Sequence, residues 1–248
     1  MCSPGHKGHD DLTSSPPSSV LSTAVSLECS CVATNNRGCA RCGTSVSYTH
    51  LEAALFEKDG VKIAFFGLSY SEMSLKKREQ AARQIERMRE EEGVNAVVFV
   101  FHAGREYSEC RTEKQFQYAR FAVDAGADLV IMHHPHVVQG ISVLDGRSVC
   151  YSLGNFCFGG NRRVRALESL IVAAELTFAD DGTYKGQQLT LYPAHVSGDA
   201  SRNDFQPRLV SGRAARRVMR LVQADTRFEL VPYEEAAGCA VQAYLPAE

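Results

Sequence analysis

A mixed α/β fold is predicted by three features of this 248-residue chain. Strand-like and helix-like segments alternate from about residue 55 to 132, the strand-like ones are almost wholly apolar, and hairpin signals take over after residue 140. Val61–Leu68 reads as a mostly buried strand entered through a Lys58-Asp59-Gly60 turn. Ser74 is a candidate cap for a helix to about Glu92, with Leu75, Ala82, Ile85 and Met88 as its apolar face and Gly93 as its stop. Val94–Phe101 is a continuous apolar run, as in a parallel strand covered on both faces. A second helix is expected from about Glu113 to Ala125, ended by Gly126, and Ala127–Met132 forms the next strand. This β-α-β-α-β order implies right-handed crossovers. Ile141–Leu144 and Ser148–Ser152 flank Asp145-Gly146, a hairpin signal. Ser169–Phe178 and Thr183–His195 flank Asp180-Asp181-Gly182, a second one. A late helix, about Ser211 to Val222, carries Arg213, Arg216, Arg217 and Arg220, which read first as a solvated face.

Composition narrows the classes of function. With 44% apolar and 23% charged residues the chain is ordinary for a globular protein. A net charge of −2 gives no electrostatic footprint for nucleic acid or an anionic membrane surface. No apolar run approaches the roughly 20 residues that span a bilayer, and no basic-then-apolar leader opens the chain. Five of the nine cysteines fall in the first 42 residues and the rest are scattered, which is no disulfide framework. The expectation for the chain as written is cytoplasmic.

Residues 1–50 are expected to be a disordered or unrelated low-complexity segment, and residues 51–248 to carry the fold. Ser and Thr occupy 15 of the first 50 positions, and no apolar period persists there. Cys29-Ser30-Cys31 and Cys39-Ala40-Arg41-Cys42 have the letters of a four-thiolate zinc site, but without apolar support.

The chemistry-bearing residues sit where strands end. The Val97–Phe101 run leads into His102, and Ala127–Met132 leads into His133-His134-Pro135-His136. Ligands of open α/β sheets bind beyond the carboxyl ends of the strands, and strands joined by one crossover are usually neighbours. Pro135 should hold His134 extended, so that His134 and His136 face one point while His133 points away or toward a supporting partner. With His102 this makes three nitrogen donors for a metal. As neutral imidazoles they should lose it when pH drops through about 6.

His102-Ala103-Gly104-Arg105-Glu106-Tyr107, Gln115, Gly126-Ala127-Asp128, His134-Pro135-His136-Val137 with Gln139, and Tyr151-Ser152-Leu153-Gly154-Asn155-Phe156 follow in that order. Leu191-Tyr192-Pro193 and Phe205-Gln206-Pro207 come later. From roughly Leu55 to Glu235 the set resembles the CapA family, also called PgsA, of bacterial poly-gamma-glutamate capsule synthesis proteins. That family looks like a branch of the calcineurin-like metallophosphoesterases.

The resemblance implies an α/β/β/α sandwich of two mixed sheets with a site for two divalent metal ions (Mn, Fe, Zn or Mg). It implies His102, His134 and His136 as metal ligands and catalytic residues. His133 is expected to support them, and Glu106, Tyr107, Gln115 and Asn155 to lie around the ligands or the substrate. The implied function is metal-dependent hydrolysis, in the full-length parent, of an anionic polymer or a phosphoester, alongside capsule-synthesis machinery. The alternatives are a non-catalytic polyglutamate-binding or export role, for which the arginine helix near Arg216 gives weak support, and an inactive fragment. No nucleic-acid partner is implied. A membrane-associated or extracellular placement stays open for the parent.

Ala103 stands where the family usually has Trp, and Met132 where it usually has Gly. The family's opening Gly-Asp, Asn-Leu-Glu and Asn-Asn-His motifs have no match before residue 55. A C-terminal portion behind an unrelated segment is therefore expected, with the first strands and the bridging carboxylate missing and a frame or assembly join near residues 45–54.

Overall fold

The apolar runs become the inner strands of one sheet. The computed structural model describes residues 53–69, 74–159 and 162–247. Strands β1 (Ala54–Lys58), β2 (Val61–Ser69), β3 (Ala96–His102), β4 (Leu129–His133), β5 (Ile141–Leu144) and β6 (Arg147–Cys150) form a six-stranded sheet. Their order is β1-β2-β3-β4-β6-β5. The four central strands run parallel, and β1 and β5 pair antiparallel at the two edges. The Asp145-Gly146 turn has positive φ at both residues (46° and 68°), as its hairpin requires. Edge strand β1 carries no strong sequence signal, because its Leu55 and Phe56 are largely exposed.

Alternation along β3 and β4 sends apolar side chains to both faces. On one face Phe66, Phe99, Phe101, Val130 and Met132 pack against α1 (Leu75–Glu91) and α2 (Glu113–Asp124). The buried stripe of α1 is Ala81, Ile85 and Met88. Leu75 and Ala82, expected in that stripe, are not part of it. Leu75 is the first helical residue after the Ser74 cap and stays 71% exposed, and the 4- and 3-residue steps of the buried face select Ala81 over Ala82. Met132 and Ala103 are fully buried in this layer, so bulk at position 132 is absorbed by the core.

On the other face Val98, Val100, Leu129 and Ile131 meet Val172, Ala174, Leu176, Leu189 and Leu191 of a second sheet. That sheet is built on β7 (Glu168–Phe178) and β8 (Tyr184–His195). Three short strands, β9 (Arg208–Leu209), β10 (Ala240–Val241) and β11 (Leu245–Pro246), also pair with β8, and all these pairings are antiparallel. Helix α3 (Gly212–Ala224) adds Val218, Met219 and Val222 to the same interlayer core. The result is a mixed α/β sandwich: helices α1 and α2, a mixed sheet, and an antiparallel sheet. The arginines of α3 face outward, and Arg216 and Arg217 pair with Glu235 and Glu168.

Two polar anchors fix where the central strands begin and end. The buried Asp128 carboxylate accepts from Arg89 at 2.6 Å and from the Val97 amide at 2.8 Å, with Arg147 at 3.5 Å. It joins α1, β3, β4 and β6 at the end of the sheet where β4 begins. At the carboxyl end, Asp225 after α3 accepts from the amides of Arg111 and Gly140, both at 3.1 Å, and pairs with the Arg111 guanidinium.

Candidate metal centre

Strands β3 and β4 are parallel neighbours, and their register sets His102 opposite His133. Val98, Val100, Leu129 and Ile131 belong to the face toward the second sheet, so alternation puts both histidines on that face. Of the two orientations expected for His133, away or toward a supporting partner, the register is that of the second: it lies beside His102. The Nδ1 of His133 is buried without a hydrogen-bond partner among the described residues. Burial, and after it the neighbouring His102, hold the His133 pKa down at about 4.

Beyond β4 the chain turns rather than running on. His134 has φ 107° and His136 has φ 61°. The expected extended His134 is thus corrected, since an extended residue has negative φ. Two non-glycine residues in this region within three positions are costly, and such strain concentrates at functional sites. The turn brings the rings together by left-handed backbone rather than by strand alternation. His134 Nδ1 lies 3.0 Å from His102 Nε2, and the His134 and His136 rings are 6.0 Å apart.

The loop after β3 supplies the third side. Gly104 has φ 134°, and a side chain there would meet Pro135 at 2.8 Å and Gln115 at 3.0 Å, so only glycine lets the two loops approach. Tyr107, at φ 58°, donates its amide to the Pro135 carbonyl at 2.7 Å. Between them the exposed Glu106 reaches the histidines. One ligand atom each from Glu106, His134 and His136 lie within 4.8 Å of one another. This carboxylate was expected merely near the ligands; it stands within the group that can hold a cation.

Asn155 orients His136. Its Nδ2 donates to the His136 carbonyl at 3.3 Å, which turns Oδ1 toward His136 Nδ1 at 2.7 Å. An amide oxygen only accepts, so Nδ1 carries the proton, and in the neutral ring Nε2 is the nitrogen that keeps its lone pair. Partners of this kind fix the tautomer of metal-binding histidines. Gln115 does not reach the cleft. It is fully buried and forms the capping box of α2 with Thr112. Its Nε2 donates to Gln139 at 2.8 Å and to the Tyr151 carbonyl at 3.2 Å. Gln139 in turn donates to the carbonyls of Ser108 and Cys110, so the pair supports the Glu106 loop from beneath.

Burial lowers His102 to about 4, helped by His134 and His136. Burial also lowers His134, against the pull of Glu106. Both rings are therefore neutral at pH 7, the form that binds metal. Proton competition at His102 thus sets in well below the expected value of about 6, and at His134 burial shifts it in the same direction. The nitrogen and carboxylate donors suit Zn, Mn or Fe. With their ring nitrogens 3.0 Å apart, His102 and His134 would be able to approach one cation together.

Fold and site together define an α/β sandwich with a histidine–carboxylate group at the carboxyl ends of neighbouring parallel strands. Residues 26–160 match the family model for the bacterial capsule synthesis protein PGA_cap. The chain belongs to this family. It is 38% identical over 108 residues to the PGA biosynthesis protein CapA of Bacillus subtilis, covering 42% of this chain and 28% of that protein. It is 38% identical over 103 residues to the capsule biosynthesis protein CapA of Bacillus anthracis, covering 41% and 24%. The aligned part is thus about a quarter of each relative's length. A solved hypothetical protein from Thermus thermophilus aligns with a TM-score of 0.37 and 17% identity, over 57% of this chain and 61% of that one. The family match opens at residue 26, upstream of the boundary placed near residue 50. That boundary, the low-complexity segment and the paired cysteines lie outside the described residues. No helix among the described residues is long and apolar enough to cross a membrane.

Proposed function

We propose that the cleft is a metal-dependent hydrolase site of capsule polymer metabolism, acting on an anionic polymer or phosphoester. The observation that carries this reading is the mutual approach of Glu106, His134 and His136 within 4.8 Å. These three would hold a divalent cation, with His102 beside His134. When bound, such a cation supplies Lewis acidity and an acidified water. The chain's own groups do the rest. Asn155 holds His136 in one tautomer, the strained turn keeps His134 aimed at Glu106, and Tyr107 walls the cleft 5.8 Å from the His136 ring. The capsule assignment follows the two relatives' names, and poly-gamma-glutamate, the polymer implied by the family resemblance, is the anionic substrate first in line.

The chain, supplied with Mn²⁺, is expected to cleave a γ-linked glutamate oligomer or a phosphodiester such as bis-p-nitrophenyl phosphate, and to stop on chelation. Product release that is the same with chelator present, or none from either substrate class, refutes the reading.

A further inference from the structure

We infer that Arg165, stacked on Tyr107, recognises an anionic group of the substrate, a carboxylate or a phosphate, next to the Glu106–His134–His136 group. The inference deepens the hydrolase reading by naming the residue that selects negative charge.

Distance comes first. The guanidinium carbon of Arg165 lies 3.7 Å from the centre of the Tyr107 ring, and that ring lies 5.8 Å from the His136 ring. Arg165 is therefore at most 9.5 Å from the His136 ring, the two separations laid end to end. A polymer lying across the metal-binding turn would therefore reach Arg165 within that span.

Charge comes second. Arg208, Arg216 and Arg217 are paired with Asp204, Glu235 and Glu168. Among the described residues Arg165 has no carboxylate within pairing distance and no hydrogen-bond acceptor; its partner is the Tyr107 ring alone. Stacking occupies the flat face of a guanidinium and leaves the in-plane N–H fork free, the edge that grips carboxylate or phosphate with two parallel bonds.

Shape comes third. Arg165 lines a cavity of about 240 Å³ with Tyr107, Val137, Glu109, Glu168 and Arg217. Glu168 there is already paired with Arg217, and Glu109 is the one other acid of the lining. Tyr107 is a fixed pillar, because its amide is tied to Pro135, which stands between His134 and His136. A substrate anion on Arg165 would thus be registered against the metal-binding turn itself.

The test reads binding apart from turnover, on the full chain treated with chelator. Fluorescence anisotropy follows a labelled γ-linked glutamate oligomer, and inorganic phosphate is the competing second probe. Arg165→Gln should weaken one probe or both by about tenfold, the scale of one charge-assisted contact. Whichever probe responds names the anion. Arg165→Lys should recover only part, because an ammonium has neither the fork nor the flat face. Arg220→Gln, which removes the same charge from the exposed face of α3, should change nothing. Equal weakening by Arg165→Gln and Arg220→Gln, or no binding of either probe by the parent chain, overturns the inference. Arg165-dependent binding without any metal-dependent turnover would refute the hydrolase reading alone.

Discussion

His134→Ala is expected to lower the chain's affinity for Mn²⁺ or Zn²⁺ by at least about 100-fold, measured by equilibrium dialysis at pH 7.5. The estimate follows from position. His134 is the one ring that touches both halves of the site, at 3.0 Å from His102 and within the Glu106–His136 group. Loss of an orienting partner alone typically costs about 10- to 100-fold in metal affinity, so loss of a ligand should cost more. Asn155→Leu supplies the smaller step. It keeps the ligands but frees the tautomer of His136, and should fall within that 10- to 100-fold range. The order of the two effects matters as much as their size. An affinity for His134→Ala within threefold of the parent's would remove the metal centre from this turn.

Asp128→Ala is expected to destabilise the folded chain by about 3 kcal/mol, read as a fall in the urea midpoint at unchanged slope. The carboxylate is buried, with its side chain 3% exposed, and it serves two guanidiniums and the Val97 amide. Removing it leaves Arg89 and Arg147 facing each other without their shared anion, and leaves a strand amide unpaired in the core. A buried donor without a partner costs about 1–3 kcal/mol, and breaking a buried pair about 3–5 kcal/mol. The guanidiniums keep part of their hydration, which places the sum at the lower end of the second range. A loss under 1 kcal/mol would show that the anchor is dispensable. The residue belongs to a motif that resembles the family's, yet its role is to set strand positions rather than to meet substrate.

The strands were legible because the parallel ones are buried on both faces, which writes unbroken apolar runs such as Val97–Phe101. The hairpin at Asp145-Gly146 was legible because its turn needs positive φ at both residues. β1 was hidden for the opposite reason: an edge strand with an exposed Leu55 and Phe56 lacks both a burial pattern and a period. At the site, the pairing of His102 with the later cluster followed from strand adjacency alone. The way His134 and His136 converge did not. Pro135 argued for extended backbone before it, but the native turn takes φ 107° at His134 instead, a conformation that tertiary contacts impose and local preference does not. Glu106 was placed near the ligands, but its arrival among them depends on the glycine approach at Gly104, which no spacing rule reports. Gln115 is the reverse case. It stood in line with the site motifs, and its side chain is spent entirely on a helix cap and a buried amide pair. Arg165 lay outside every motif, and only the fold places it over Tyr107.

The most direct measurement is the pulsed electron paramagnetic resonance spectrum of Mn²⁺ bound to the full chain. The account predicts nitrogen modulation from two or more imidazoles, reduced in His134→Ala and in His136→Ala. A bound Mn²⁺ that shows oxygen and water couplings only, unchanged by either substitution, would contradict it.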